Sequence, residues 1–228
     1  MQTYKGTYTD DSGTIDIVVA NDFSTLSCEI DGIQFSGGQF SDFETNNKYT
    51  AEELGRFTFC EIPIYNSDRS IKILCNCAFT IIIPQLIIDK SSNTTFDVVL
   101  KLEYSLGKPR GLPGEGIEHE YIKASFIIAG QNFEGTGDYV EDVFDKISKQ
   151  FNDKYQFKNC YGCMFGDYSV YGQSGFGAML CYVLQREEYL KVKTKKEFAI
   201  LSGEVSQVQE TFLCERYEPR KPGTGYRG

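Results

Sequence analysis

Cys160, Cys163, Cys181 and Cys214 are the residues of this chain whose types and spacing can do chemistry, and they open with the step Asn159-Cys-Tyr-Gly-Cys163. Two thiolates on one tight turn supply half of a tetrahedron and later strands can supply the rest, so the quartet can hold one zinc ion, Zn2+. A closed four-thiolate site is a structural staple and leaves no open position for catalysis. The same pattern admits two other readings, four core thiols or a Cys-x-x-Cys redox pair. Phe165-Gly-Asp-Tyr-Ser169 is a poor start for the helix that normally follows a redox pair, and the gap from Cys181 to Cys214 is wide for a compact zinc ribbon. Cys75 and Cys77 flank one residue of a strand and so point to the same side. With Cys28 and Cys60 they read first as small core residues, with a second metal pair as the alternative.

Other constellations are weaker. His119, the only histidine, lies in Glu118-His-Glu120, where strand alternation sets the glutamates on one face and the imidazole on the other, so the three form no local triad or chelate. The loop Gly107-Lys-Pro-Arg-Gly-Leu-Pro-Gly-Glu-Gly116 lacks the Gly-Lys-Ser/Thr ending of a phosphate loop and carries two prolines that remove backbone donors; a binding role stays open for Lys108 and Arg110. Lys191-Val-Lys-Thr-Lys-Lys196 is flanked by Glu187, Glu188 and Glu197 and reads as a solvated face.

With 32 carboxylates against 23 Lys and Arg, the net charge of -9 repels phosphate backbones and anionic lipid heads. Nucleic acid and membrane surfaces are therefore disfavoured as partners, and a basic protein is favoured. Fifteen Tyr and 17 Phe, with no Trp, suit both sheet faces and protein-binding surfaces. The opening residues read as an exposed strand and not as a signal peptide, and the longest apolar run, Ala78 to Ile88, is broken by Thr80, Pro84 and Gln85. A cytoplasmic protein with reduced thiols is the expectation; export would allow disulfides instead.

The elements that must position these groups are mostly strands. Thr3 to Thr9 and Thr14 to Ala20 alternate around Asp10-Asp-Ser-Gly13, and Asp31-Gly32 between short apolar runs signals a type I′ turn. Arg56 to Ile64, Ile71 to Ile83, Thr95 to Leu106 and Ile117 to Ala129 extend the series, with Pro84 expected at a sheet edge or strand break. From about 138 to 152 the period changes to that of an amphipathic helix, with Asp138 as N-cap and Glu141 as its capping-box partner. Further strands are expected at Gly177 to Leu184 and Val205 to Cys214. The fold class predicted is α+β, mainly β: an N-terminal antiparallel sandwich-like sheet over 1–135, then the helix and an irregular Cys-rich part over 136–228, packed as one unit.

The block from Cys160 through Asp167-Tyr-Ser169 to Phe176-Gly-Ala-Met-Leu-Cys181, with the ending Gly223-Thr-Gly-Tyr-Arg-Gly228, resembles an uncharacterised bacterial family, a domain of unknown function. The resemblance implies one unit of β-rich front and Cys-bearing back, and it transfers no activity. Glycines at 162, 166, 172, 175 and 177 surround Asp167, Tyr168 and Tyr171 in a tight loop that either displays the rings to a partner or covers the cysteines. Tyr226 and Arg227 either fray or dock back near the cluster. The expected function is a non-catalytic protein-interaction module, such as an immunity or antitoxin partner of a basic toxin, stabilised by a structural metal. The alternative is a zinc- or thiol-dependent enzyme.

Overall fold

A computed structural model describes residues 1–22, 24–46, 48–64, 66, 70–111, 116–169, 176–177, 179–201 and 203–226. The first hairpin joins β1 (Gln2–Asp10) to β2 (Gly13–Asn21). Its turn closes because Asp10 Oδ1 accepts the Ser12 N–H at 2.8 Å and Gly13 takes φ +124°, a region L side chains avoid. Tyr4, Tyr8, Ile17 and Val19 are buried while Lys5, Asp16 and Val18, on the alternate positions, are exposed. β3 (Leu26–Ile30) and β4 (Ile33–Gly37) meet across Asp31 at φ 51° and Gly32 at φ 79°, the two positive values that a type I′ turn requires.

β5 (Thr58–Pro63) pairs with β6 (Ser70–Cys75). The run Ile71 to Ile83, expected as one strand, is two: the chain breaks at Asn76, φ 52°, whose N–H donates to Gly107 O at 2.9 Å, and β7 (Cys77–Asp89) begins after it. β8 (Thr94–Leu106), β9 (Glu120–Ile128) and β10 (Gln131–Gly137) follow. One nine-stranded sheet runs β10-β9-β8-β7-β1-β2-β3-β4, with β11 (Tyr155–Phe157) also beside β7. Pro84 sits inside β7, not at its end. It is tolerated because β1 pairs with β7 only over Ala78 to Ile82 and β11 only over Ile87 to Asp89, so proline falls where that flank has no ladder bond to lose. A small sheet of β12 (Gly166–Asp167), β13 (Met179–Cys181) and β14 (Ser206–Val208) completes a mainly β protein with few helices.

Helix α1 (Val140–Gln150) buries Val140, Val143, Phe144 and Ile147, the stripe its periodicity foretells. Its N-cap is Tyr139, without a side-chain cap bond, and not Asp138. Asp138 stands one residue too early for its carboxylate to serve the first turn. Two short helices, α2 (Arg186–Lys191) and α3 (Lys195–Ala199), lie between β13 and β14, and the lysine run read as a solvated face spans the end of one and the start of the other. There Thr194 and Glu197 form the capping box that Asp138 and Glu141 do not.

The chain divides into two compact units, Met1–Ile83 with Lys101–Ala124 and Thr136–Asp138, and Pro84–Leu100 with Ser125–Gly135 and Tyr139–Gly228. In the first, Phe40 stacks on Phe79 at 4.7 Å and neighbours Phe43 and Tyr104, all fully buried. In the second, Phe126, Phe133, Phe144, Phe151 and Phe157 form a continuous aromatic core. A further apolar cluster there joins Cys163, Met164 and Phe165 to Tyr182, Tyr189, Val192 and Phe198.

Candidate functional site

The Cys160–Cys163 turn is held by a chain of buried amides. Asn159 accepts the Gly162 N–H at 3.1 Å and donates to Gln85 Oε1 at 2.7 Å, and Gln85 donates on to Thr211 O at 2.8 Å. The Cys160 and Tyr161 N–H groups donate to Phe212 O and Glu210 O, each at 3.0 Å. The segment leading to Cys214 is thereby tied to the turn. Gly162 leaves no room for a side chain, since a Cβ there would collide with Phe157 O. The chain end then returns as a strap: Met164 N–H donates to Glu218 O at 2.8 Å, Arg220 N–H to Gly162 O at 3.1 Å, and the Arg220 guanidinium to the carbonyls of Cys163 and Gly166. Cys181 lies opposite Gly166 in the β12–β13 pair.

These contacts draw together the segments that carry the four thiols: Cys163, Cys214 and Cys181 act on the Cys160 thiol, and Cys214 acts on both Cys163 and Cys181. Burial pushes the Cys160 thiol well above its ordinary range, and Cys163, Cys214 and Cys181 add to the rise. Burial also raises Cys163 and Cys181. Here the backbone pulls the other way, because Phe165 and Gly166 N–H groups donate to the Cys163 sulfur and the Val183 N–H to that of Cys181. N–H groups aimed at sulfur favour a thiolate. Among the described residues, no group of three or more His, Cys, Asp or Glu side chains is arranged to hold a metal ion. All eight cysteines are free, and Cys28, Cys60, Cys75 and Cys77 are buried in the first unit, as their β-patterned surroundings imply.

The loop residues expected at a contact surface are placed otherwise. Asp167 is buried and accepts from the Tyr189 hydroxyl at 2.7 Å and the Tyr168 N–H at 2.8 Å. Tyr168 is buried with its hydroxyl donating to Glu210 at 3.1 Å, so both serve the interior and neither is displayed. Tyr171 and Arg227 lie outside the described residues. Tyr226 docks back, stacking on Phe198 at 5.0 Å with the planes 9° apart, and remains part-exposed. Glu210, 0% exposed, is the residue that sequence reasoning missed; it also accepts the Gly177 N–H at 2.8 Å. Its place four residues before Cys214 was the only local signal.

A cleft of about 460 Å³ opens beside α1. Phe151, Phe157 and Tyr161 line it, and Glu141, Asp145 and Asp153 bring carboxylates to it, against Lys90 and Arg220. Tyr161 packs between Phe144 and Phe157 and donates its hydroxyl to Asp145. Lys90 Nζ stands 3.7 Å from Asp153, a fully exposed carboxylate for which so long and solvated a pairing is weak. An aromatic floor with a carboxylate rim suits a guanidinium or ammonium group.

A family model matches residues 2–166, well over half of the chain. The chain belongs to DUF6304, a family of unknown function. The part that matches DUF6304 runs from β1 through Cys160 and Cys163 to the first residue of β12, so Cys181, Cys214 and the glycine-rich ending lie beyond it. No match is found among curated proteins or among solved structures. In this DUF6304 chain His119 is exposed, and its carbonyl accepts the Gly107 N–H at 2.8 Å. The backbones of Lys108 and Arg110 are bonded to the returning segment, Glu118 N–H donating to Lys108 O at 2.8 Å and Arg110 N–H to Gly116 O at 2.9 Å.

Proposed function

We propose that this DUF6304 protein is a non-catalytic protein-interaction module that receives a basic partner at the cleft beside α1, its C-terminal thiols binding a structural zinc ion. The observation that carries the reading is the make-up of the cleft, where Glu141, Asp145 and Asp153 rim an aromatic floor. A lysine or arginine inserted there gains carboxylate and ring contacts together. The net charge of -9 speeds encounter with such a partner. An immunity or antitoxin protein facing a basic toxin is the form of this function that the acidity suits. Support for the zinc comes from the shared neighbourhood of Cys160, Cys163, Cys181 and Cys214 and from the N–H groups turned to two of the sulfurs. Binding would require the side chains to rotate onto a common centre. Against a thiol enzyme, burial keeps Cys160, Cys163 and Cys181 protonated, and thiols are weak nucleophiles.

Capture from the native host with wild-type bait and with a Glu141→Lys/Asp153→Lys double variant tests the partner half. A stoichiometric basic protein held by wild type and lost by the variant is expected; no partner, or equal retention by both, would sink it. Elemental analysis of the purified chain tests the metal half. Zinc that falls with Cys→Ser at any of the four positions is expected, and a zinc-free chain that added zinc fails to stabilise would end that part of the proposal.

A further inference from the structure

β4 ends the nine-stranded sheet, and β5 with β6 forms a separate pair. Among the described residues, Glu44 is what bridges them. It pairs antiparallel with Ser36 of β4, exchanging N–H to carbonyl bonds of 3.0 Å in both directions, and with Ile73 of β6, beside which Leu74 N–H donates to Phe43 O at 2.7 Å. One residue thus does the work of a central strand, and it sets the two flanking edges two strand spacings apart, roughly 9.5 Å. Register continues the row from Ser36, Glu44 and Ile73 to Gln34, Asn46 and Ile71, but there the middle chain departs. In its place is a cavity of about 820 Å³ between Gln34, Phe35 and Ser36 on one side and Ser70, Ile71 and Lys72 on the other.

Three features of this slot are those of an absent strand. The Gln34 N–H, turned away from β3, is met by a side chain, donating to the Tyr49 hydroxyl at 2.9 Å. Thr45 Oγ1 on the wall is buried with no hydrogen-bond partner among the described residues. Leu54, Phe59, Ile64 and Ile71 line the space, and the last two are over a third exposed. Open strand edges recognise a polypeptide by its backbone, and apolar walls select alternate side chains.

We infer that the slot between β4 and β6 binds an extended, β-branched peptide segment of a partner protein, which completes the sheet and displaces Tyr49 from Gln34. The inference rests on the reading of the chain as a protein-binding module but uses a surface separate from the cleft beside α1. A partner held by that cleft would still be captured were the slot idle.

The probe is the peptide acetyl-Thr-Val-Thr-Val-Thr-Val-amide, titrated to millimolar concentration into the isotope-labelled full chain. Saturable shifts of the Gln34, Ser70 and Lys72 amides are expected. Tyr49→Phe, which removes the competing hydroxyl, should tighten binding about five-fold, the worth of one ordinary hydrogen bond. Gln34→Pro deletes the outward donor without touching the β3 ladder and should abolish binding in a chain whose spectrum is otherwise folded. A merely structural Tyr49 would weaken folding on mutation to Phe and leave affinity unchanged, and that result would overturn the inference. So would the absence of saturable shifts, or equal shifts from the N-methylated peptide. Loss of the same shifts on dilution without peptide would assign the slot to a second copy of the chain and overturn it as well.

Discussion

The Arg220 guanidinium donates to Cys163 O at 3.0 Å, clasping the end of the chain to the turn that carries the first two thiols of the cluster. The same nitrogen serves Gly166 O, while Nε and Nη1 are buried with no partner among the described residues. Charge-assisted bonds to two otherwise buried carbonyls outweigh those two idle donors. Arg220→Met, which keeps the bulk and drops the donors, should cost about 1–3 kcal/mol, read as a lowered urea midpoint at unchanged slope. An unshifted midpoint would mean that backbone pairing alone holds the strap.

Glu120 gives the fold a pH dependence. Tyr104 donates to its carboxyl. Burial, with Asp42 and Asp138 nearby, lifts its pKa from 4.5 to about 7 against an opposing bond from Ser41. The folded chain therefore binds a proton that the unfolded chain has already released between those values. The contribution is fully present below pH 4.5 and is lost as pH rises through about 7. Chemical denaturation of wild type should show stability falling across that window, and Glu120→Gln should flatten the fall. Equal slopes in the two proteins would exclude Glu120 as its source.

Thiol reactivity should follow burial. Cys181 and Cys214 are partly accessible, whereas Cys160 and Cys163 are buried and desolvation holds the Cys28 thiol up at about 12. Timed alkylation of the folded chain with iodoacetamide after any zinc has been removed with a chelator, read by peptide mass spectrometry, should label Cys214 and Cys181 first and the N-terminal four last. Prior labelling of Cys28 or Cys77 would contradict the burial of the first core.

What was legible in the sequence was whatever is decided locally. Asp31-Gly32 declares its turn because both residues take positive φ, and the α1 stripe declares its buried face because Val143, Phe144 and Ile147 fall at helical spacing. Thr194 and Glu197 marked α3 just as plainly, but the density of lysines around them masked the capping box. Long-range facts were hidden. Gln85 interrupts an apolar run in a way that suggests only a break, and nothing near it foretells its bonds to Asn159 and Thr211. For Asp167 and Tyr168 the glycine-rich loop left display and cover both open, and it is Tyr189 and Glu210, far along the chain, that turn them inward. The Cys-x-x-Cys step declares its own turn, but the ties from that turn to the segment before Cys214 depend on the strap and the amide chain, neither of which spacing reveals.

Gly162 is the position where that arrangement is least able to give. Its backbone passes so close to Phe157 O that any Cβ must move β11 or open the turn, and Asn159, which accepts the Gly162 N–H, would move with it. Overpacking of this kind costs about 1–3 kcal/mol, and here the backbone itself is the obstacle, so the upper part of that range applies to Gly162→Ala. Thermal unfolding measures the loss. A second reading separates a local change from a general one: as the turn opens, Cys160 should become alkylated faster while the buried Cys28 stays at its wild-type rate. If the two rates rose together, the whole chain would be loosening, and the tight turn would not be the part that Gly162 protects.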